Sequence, residues 1–252
     1  MNPSKETQFA IDLAKQAGKV LMEYFGTELT RNIKTGPNDY ATEADVAAEK
    51  IILEQLKEAF PQDAIVAEES GKHEARDSQY TWIVDPLDGT RNFANNKKNF
   101  AVMICRARGN EIELAVVYSP ANDVLATAEK GKGAYLQGKQ VDLTGRDYSD
   151  KPLGISRSAQ ARITSLDVAG SDLGAGPDTL EALAGNRQGY ITNNGYDWDF
   201  APPVLLLSEA GWRVTDVQGN PYRWNGKLEY GKPGVLAAPA DLHSQLVTLM
   251  ND

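Results

Sequence analysis

Asp85 and Asp88 stand three residues apart in "WIVDPLDGTRNF" (Trp82–Phe93), directly after three apolar, β-prone residues. Glu68 and Glu69 follow "AIVA" in the same way. Asp199 precedes the long run "FAPPVLLL", and Asp45 lies three residues after Thr42. Singly, each acid is explained as a solvated turn or a helix cap, Asp88-Gly89 as a turn dipeptide and Thr90 as an N-cap. Together they form a set of oxygen donors at the ends of elements. Pro86 stiffens the link between the two aspartates. Gly89 lets backbone come close to a ligand, and Gly89-Thr90 can open a short helix whose free N–H groups suit a phosphate. The acids would repel that phosphate, because like charges about 4 Å apart cost on the order of 4 kcal/mol at an effective dielectric near 20. Acids beside an anion site therefore require multivalent cations between them. Neither imidazole nor thiolate accompanies these acids, so the ions should be hard, Mg²⁺ first and Mn²⁺ second. Two such ions about 3.5–4 Å apart can hold a water and a leaving oxygen for in-line displacement.

Other chemistries fail on residue type or spacing. Cys105 is the only cysteine, which excludes an intrachain disulfide and a four-cysteine zinc site and leaves a core residue of a strand. His73 and His243, the only histidines, lie in no H-E-x-x-H and read as surface or packing residues. "GAYLQGKQ" reaches Gly138-Lys139, but Gln140 stands where a phosphate loop needs Ser or Thr, so a hairpin turn fits better. Asp85 and Asp88 are three apart, so the D-x-D of an aspartyl-nucleophile phosphatase fails on spacing, and G-x-S-x-G and EF-hand patterns are missing. With 35 Asp and Glu against 26 Lys and Arg, the net charge of -9 argues against duplex binding. Polar residues interrupt the N-terminal apolar positions, and no window of 18 apolar residues occurs, so neither a secretory leader nor a membrane span is expected and the cytoplasm is the default.

The elements that must carry the acids are legible from periodicity. A helix is predicted from about Thr7 to Phe25, ended by Gly26, and a second after Thr42 up to Phe60, with Thr42 and Asp45 as a capping box. "AIVAEES" and "WIV" are strands that end in acids. "FAVMICRA", "IELAVVYS" and "DVLATAE" alternate as antiparallel strands, and "KGKGAYLQGKQV" extends the meander. From Leu143 to Gly176 the pattern is weak, with one strand near Ile163–Val168. Pro177–Ala184 is a short helix and "GYIT" a strand. "DWDFAPPVLLLSEAG" is a helix entered through Asp199, with Pro202 and Pro203 in its first turn. "WRVTD" and "GVLAAP" are strands, and a helix closes the chain from Ala240 to Met250. The 252 residues thus suggest an α+β lobe, residues 1–145, that carries the acids, and an α/β lobe, residues 146–252.

These residues resemble the inositol monophosphatase family. Its D-P-[IL]-D-G-T-x-N-F pattern appears as "DPLDGTRNF" and its W-D-x-A…E-A-G pattern as "WDFAPPVLLLSEAG". E-E-S appears in "VAEESG", and K-x-x-P-x-D-x-x-T-x-x-D as Lys34 through Asp45. The resemblance covers most of Lys34–Glu209, in matching order and separation. It implies a layered αβαβα sandwich of the inositol monophosphatase and fructose-1,6-bisphosphatase type, with the site between lobes. It implies that Glu68, Asp85 and the carbonyl of Leu87 hold a first Mg²⁺, that Asp85, Asp88 and Asp199 hold a second, and that Glu68 shares a third. Thr90, hydrogen-bonded towards Asp45, would join Glu68 in activating water. The amides of Gly89 and Thr90 would receive the phosphate, and Lys34 would ride on a loop that closes over the site. A small phosphorylated metabolite as substrate, lithium inhibition and a homodimer follow from the same resemblance.

Two departures fall on the substrate side. Thr192 stands where relatives that favour inositol phosphate carry an acid, seven residues before Asp199. The stretch between Leu143 and Gly176 is short, and its family Gly-Ser-Ala element has only poor matches in Gly170-Ser171 and Gly174-Ala175. Inositol 1-phosphate is the nominal substrate. Fructose 1,6-bisphosphate, 3'-phosphoadenosine 5'-phosphate and histidinol phosphate stay open. Lys97-Lys98 could favour a second phosphate, though a solvated basic turn explains them as well. A different class, a non-catalytic regulator that binds a partner, stands against all of these.

Overall fold

Helix α1 (Lys5–Tyr24) forms where apolar residues recur at helical spacing: Ala10, Leu13, Ala14, Ala17 and Leu21 are buried along one stripe. Ser4 caps it by accepting from the Thr7 amide at 3.2 Å, and Gly26 leaves it at a φ of 84°. A hairpin, β1 (Arg31–Gly36) and β2 (Asp39–Thr42), leads into α2 (Glu43–Ala59), which starts with the expected Thr42–Asp45 capping box. The structure is a computed structural model that describes residues 2–36, 39–75, 78–160, 162–163, 166–169, 173–193, 195–224, 226, 230 and 234–251.

Eight strands then build the larger sheet: β3 (Ala64–Ala67), β4 (Gly71–His73), β5 (Tyr80–Asp88), β6 (Ala101–Arg108), β7 (Glu111–Ser119), β8 (Val124–Glu129), β9 (Ala134–Leu136) and β10 (Lys139–Val141). Their order is β10-β9-β8-β7-β6-β5-β3-β4, and every pair except the parallel β3–β5 is antiparallel. Only the one-turn helix α3 (Thr90–Ala94) interrupts the run. Alternate residues serve different cores. Trp82, Val84, Val102, Ile104, Leu114 and Val116 face α1 and α2. Ile83, Met103, Cys105, Ala115 and Val117 face the other way. A strand buried on both faces needs apolar residues at every position, hence the near-continuous "AVMIC" and "LAVV".

The remaining elements are β11 (Leu153–Ile155), α4 (Arg157–Gln160), β12 (Val168–Ala169), α5 (Ala175–Leu183), β13 (Tyr190–Thr192), α6 (Asp197–Glu209), β14 (Arg213–Thr215), β15 (Val235–Ala238) and α7 (Ala240–Asn251). Their sheet has the order β12-β11-β13-β15-β14 and is parallel over its first three strands. Leu180 and Leu183 of α5, with Phe200, Leu205 and Leu206 of α6, fill the layer between the sheets. Leu246 and Met250 of α7 cover the outer face. The layers therefore run helix, sheet, helix, sheet, helix, the expected αβαβα sandwich.

Three expectations need correction. The strand does not end with "WIV" at the acids; β5 runs on through Asp88 with a bulge, since Asp85 opposes Met103 and Asp88 opposes Ala101. Helix α6 begins at Asp197, two residues before Asp199, because the Asp199 carboxylate accepts from the Tyr196 amide at 2.7 Å and caps the helix upstream. Pro202 and Pro203 consequently fall past the first turn, inside the helix. The strand expected near Ile163–Val168 reduces to Val168–Ala169: Ile163 is a buried loop residue, and 164–165 lie outside the described residues. Cys105 is buried in β6, as expected.

Candidate metal centre

The β5 bulge sets the geometry of the site. Residues three apart on a regular strand point to opposite faces, and one inserted residue restores the phase. Asp85 and Asp88 thus share the face of their partners Met103 and Ala101, the face that looks towards α5 and α6. Helix α6 brings the third acid. Asp85, Asp88 and Asp199 each offer a carboxylate oxygen, and these atoms all lie within 4.8 Å of one another. Glu68 follows β3 on the adjoining strand, its amide donating to Val84 O at 3.2 Å.

Electrostatics mark the cluster as strained without a counter-charge. Asp85 titrates well above the usual carboxylate range because of burial, then Glu68, Asp88 and Asp199. Asp199 is raised in the same way by desolvation, Asp88 and Glu68, against the opposing Tyr196 amide. Asp88 is pushed up to about 7, chiefly by burial, although two amides hold its charged form. Those amides belong to α5: Gly176 N donates to Asp88 Oδ2 at 2.7 Å, and Ala175 N to Oδ1 at 3.2 Å. Only oxygen donors converge among the described residues, and neighbouring acids raise one another. That donor set fits a hard divalent cation.

Around it stand the other expected residues. Asp45 is fully buried; its Oδ2 accepts from the Thr42 amide and hydroxyl at 2.7 and 2.6 Å, and burial raises its titration to about 6. Thr90 Oγ1 lies 3.0 Å from Asp45 Oδ1 and 3.0 Å from the carbonyl of Leu87. Gly89 precedes α3 at a φ of 86°, and a Cβ there would come within 2.7 Å of Asn99 O, so only glycine fits. Lys34, on the β1–β2 hairpin, donates to Glu68 Oε1 at 2.8 Å and Glu69 Oε1 at 2.7 Å. Burial opposes its charge, yet the two glutamates raise its titration overall. Glu69 is raised to about 7 by burial and by Glu68. Thr192 ends β13, buried and opposite Val235. Lys97 and Lys98 lie exposed beyond α3.

Gly174, Ala175 and Gly176 were underrated as a sequence signal. Gly174 caps α5 at a φ of 94°, and a Cβ on it would meet Asp88 Oδ2 at 2.7 Å. Two glycines flanking one residue just before Pro177 were the available clue to a helix start held against a ligand. Gly170-Ser171 lies outside the described residues. His73 contacts Ser70 Oγ, and His243 is buried against Thr215 Oγ1 at 2.9 Å, both remote in role from the acids.

The family model of the inositol monophosphatase family matches residues 2–252. The chain belongs to this family. It is 34% identical over 245 residues to the Nus factor SuhB of Salmonella typhimurium, covering 91% of this chain and 92% of that protein. It is also 34% identical over 227 residues to the inositol-1-monophosphatase of Mesorhizobium japonicum, covering 83% and 84%. The crystal structure of the extragenic suppressor protein suhB of Bartonella henselae superposes with a TM-score of 0.86 at 29% identity, over 99% of both chains. No helix among the described residues is long and apolar enough to cross a membrane.

Proposed function

We propose that this family member is a Mg²⁺-dependent phosphomonoesterase for a small polyol or sugar phosphate, nominally inositol 1-phosphate. The observation that carries the reading is the convergence of Asp85, Asp88 and Asp199 within 4.8 Å beside Thr90 and its partner Asp45. Asp85, Asp88 and Asp199 would hold one cation, and Glu68, Asp85 and the Leu87 carbonyl another, with Glu68 available to a third and Mn²⁺ an acceptable substitute. When bound, the cations supply charge to offset the phosphate oxygens and the leaving oxygen.

The chain's own groups do the rest. Thr90 has one hydroxyl proton, directed to Asp45 or to Leu87 O, and keeps lone pairs that can accept a proton from an attacking water. Asp45 is buried and poised near neutrality, so it can take up the proton that Thr90 passes on. Glu68, just after the adjoining strand β3, offers a second acceptor. The amides of Gly89 and Thr90 suit the phosphate oxygens, as at other helix starts. Lys34 would screen the site from above, and the two lobes, residues 1–145 and 146–252, would meet around it. Lithium inhibition and a homodimer belong to the same reading.

Fructose 1,6-bisphosphate, 3'-phosphoadenosine 5'-phosphate and histidinol phosphate are the competing substrates. The competing class is a partner-binding regulator, favoured by the relatives named as Nus factors. Phosphate release from the four esters, with Mg²⁺, with chelator and with lithium, tests the enzyme; release from none of them counts against it. Glu68→Gln separates the classes. Catalysis predicts that this variant fails to rescue a deletion strain, whereas a regulator predicts rescue.

A further inference from the structure

The buried stripe of α2 is apolar at Ala48, Ile52 and Leu56 but is broken by two acids, Asp45 and Glu49. Four residues apart, they stand one turn from each other on the same face. Asp45 meets Thr90, whose Oγ1 lies 3.0 Å from its Oδ1. Glu49 is 3% exposed, and the proposed chemistry gives it no part. Its Oε2 accepts from the amide of Glu69 at 2.8 Å.

That bond holds the turn after β3 from the helix side. From the sheet side, the Glu68 amide donates to Val84 O, just before Asp85, at 3.2 Å. The main chain of Glu68-Glu69 is therefore clamped between β5 and α2, and its side chains are left to Lys34, which donates to them at 2.8 and 2.7 Å. The sheet is secured without Glu49, since β3 already pairs with both β4 and β5. A buried carboxylate is costly, and an apolar side chain at this position would continue the stripe, so the acid needs a task.

We propose that Glu49 is a positioning residue: it sets the height of the Glu68-Glu69 turn over α2, so that one helix face fixes both proton acceptors of the site, Thr90 through Asp45 and Glu68 through the Glu69 amide. The inference rests on the proposed cation site and names the residue that keeps Glu68 in place for it. Groups behind a metal ligand orient it, and losing one weakens metal affinity by about tenfold or more. Displacing a reacting group by about 1 Å can cost on the order of a hundredfold in rate.

Two mild substitutions test it. Glu49→Gln keeps the length and an acceptor oxygen, whereas Glu49→Asp keeps the carboxylate and shortens its reach by one methylene. By calorimetry, Glu49→Gln should bind Mg²⁺ within about twofold of the wild type and Glu49→Asp about tenfold more weakly. At saturating Mg²⁺, Glu49→Asp should lose kcat with little change in KM for the ester. Wild-type Mg²⁺ affinity in Glu49→Asp overturns the role. So does binding in Glu49→Gln as weak as in Glu49→Asp, which would make charge rather than reach decisive. A second readout needs no metal. In ¹⁵N-labelled protein with chelator, the Glu69 amide proton should resonate downfield and exchange slowly in the wild type and in Glu49→Gln, and move upfield and exchange faster in Glu49→Asp. An unmoved resonance overturns the proposal. If the wild type and Asp88→Asn bind Mg²⁺ equally, or neither binds, the cation site itself falls and the inference with it, even where the Glu69 amide responds as expected.

Discussion

The Asp88 carboxylate and the Gly176 amide, 88 residues apart in the chain, are joined by a hydrogen bond of 2.7 Å. It ties the bulged strand of the larger sheet to the first turn of a helix in the middle layer. The grip depends on Gly174, which turns the chain at a φ of 94° where a Cβ would stand 2.7 Å from Asp88 Oδ2. Gly174→Ala should therefore cost at least tenfold in both turnover and Mg²⁺ affinity. Gly185→Ala is the control: its φ of 82° imposes similar backbone strain, about 1–2 kcal/mol, but a Cβ there meets only Tyr148, at 3.6 Å. It should lower the melting temperature and leave Mg²⁺ affinity alone. Equal effects of the two substitutions on binding would reduce Gly174 to a fold residue.

Thr90 joins two parts of the site, Asp45 on α2 and the Leu87 carbonyl on β5, each at 3.0 Å. A relay through its hydroxyl makes a kinetic prediction. Thr90→Val keeps the shape and removes the oxygen, so kcat should fall by about a hundredfold or more with little change in KM. Thr90→Ser restores the oxygen and should recover most of the rate. A Thr90→Val enzyme with near-normal kcat would show that Glu68 suffices as the acceptor.

Stability without metal should depend on pH in an unusual direction. A carboxyl group whose titration is raised by folding contributes its full stability at low pH and loses it as pH rises from its ordinary value to the raised one. Asp88 and Glu69 are raised to about 7 and Asp45 to about 6, in each case first by burial. The metal-free protein should thus lose stability between about pH 4 and pH 7. His243 works against this trend. Burial and Arg213 lower it to about 4, so its contribution is complete above its ordinary 6.5 and fades as pH falls. Several acids outweigh one imidazole. Melting temperatures in chelator should fall across that window, and Mg²⁺ or Asp88→Asn should flatten the decline. A melting temperature that rises with pH in chelator would contradict the strained cluster.

The acids were legible because their chemistry is improbable without a cation, and oxygen donors three apart after an apolar strand stand out. Two helices followed by a mainly antiparallel sheet were legible from the change of period between the helices of Lys5–Ala59 and the strands that follow, whereas the αβαβα layering came from the family resemblance. What the sequence hid was phase and depth. A turn and a bulge place the same Pro86 between the same aspartates, and only pairing with β6 distinguishes them. Helix α6 starts two residues before Asp199 because the Asp199 carboxylate accepts from the amide of Tyr196, a cap that the proline-bearing run does not announce. The Gly174–Gly176 turn carries no distinctive side chain, since its backbone amides do the work.

Lys34 and a cation compete for the same carboxylate. Its ammonium lies 2.8 Å from Glu68 Oε1 and 2.7 Å from Glu69 Oε1, offsetting two acids that repel each other. Filling the Glu68 position with a divalent ion requires that contact to loosen. Partly exposed pairs of this type are worth about 1 kcal/mol or less, so Lys34→Met should tighten Mg²⁺ binding by about two- to fivefold. The same substitution leaves Glu68 and Glu69 unscreened in chelator, which should lower the metal-free melting temperature by about 2 °C. If Lys34 also faces the phosphate once freed from Glu68, KM for the ester rises while Mg²⁺ affinity improves. The two constants then move in opposite directions, a pattern that a purely structural lysine does not produce. Weaker Mg²⁺ binding in Lys34→Met would mean instead that the lysine preorganises Glu68 for the ion, and competition at that carboxylate would be refuted.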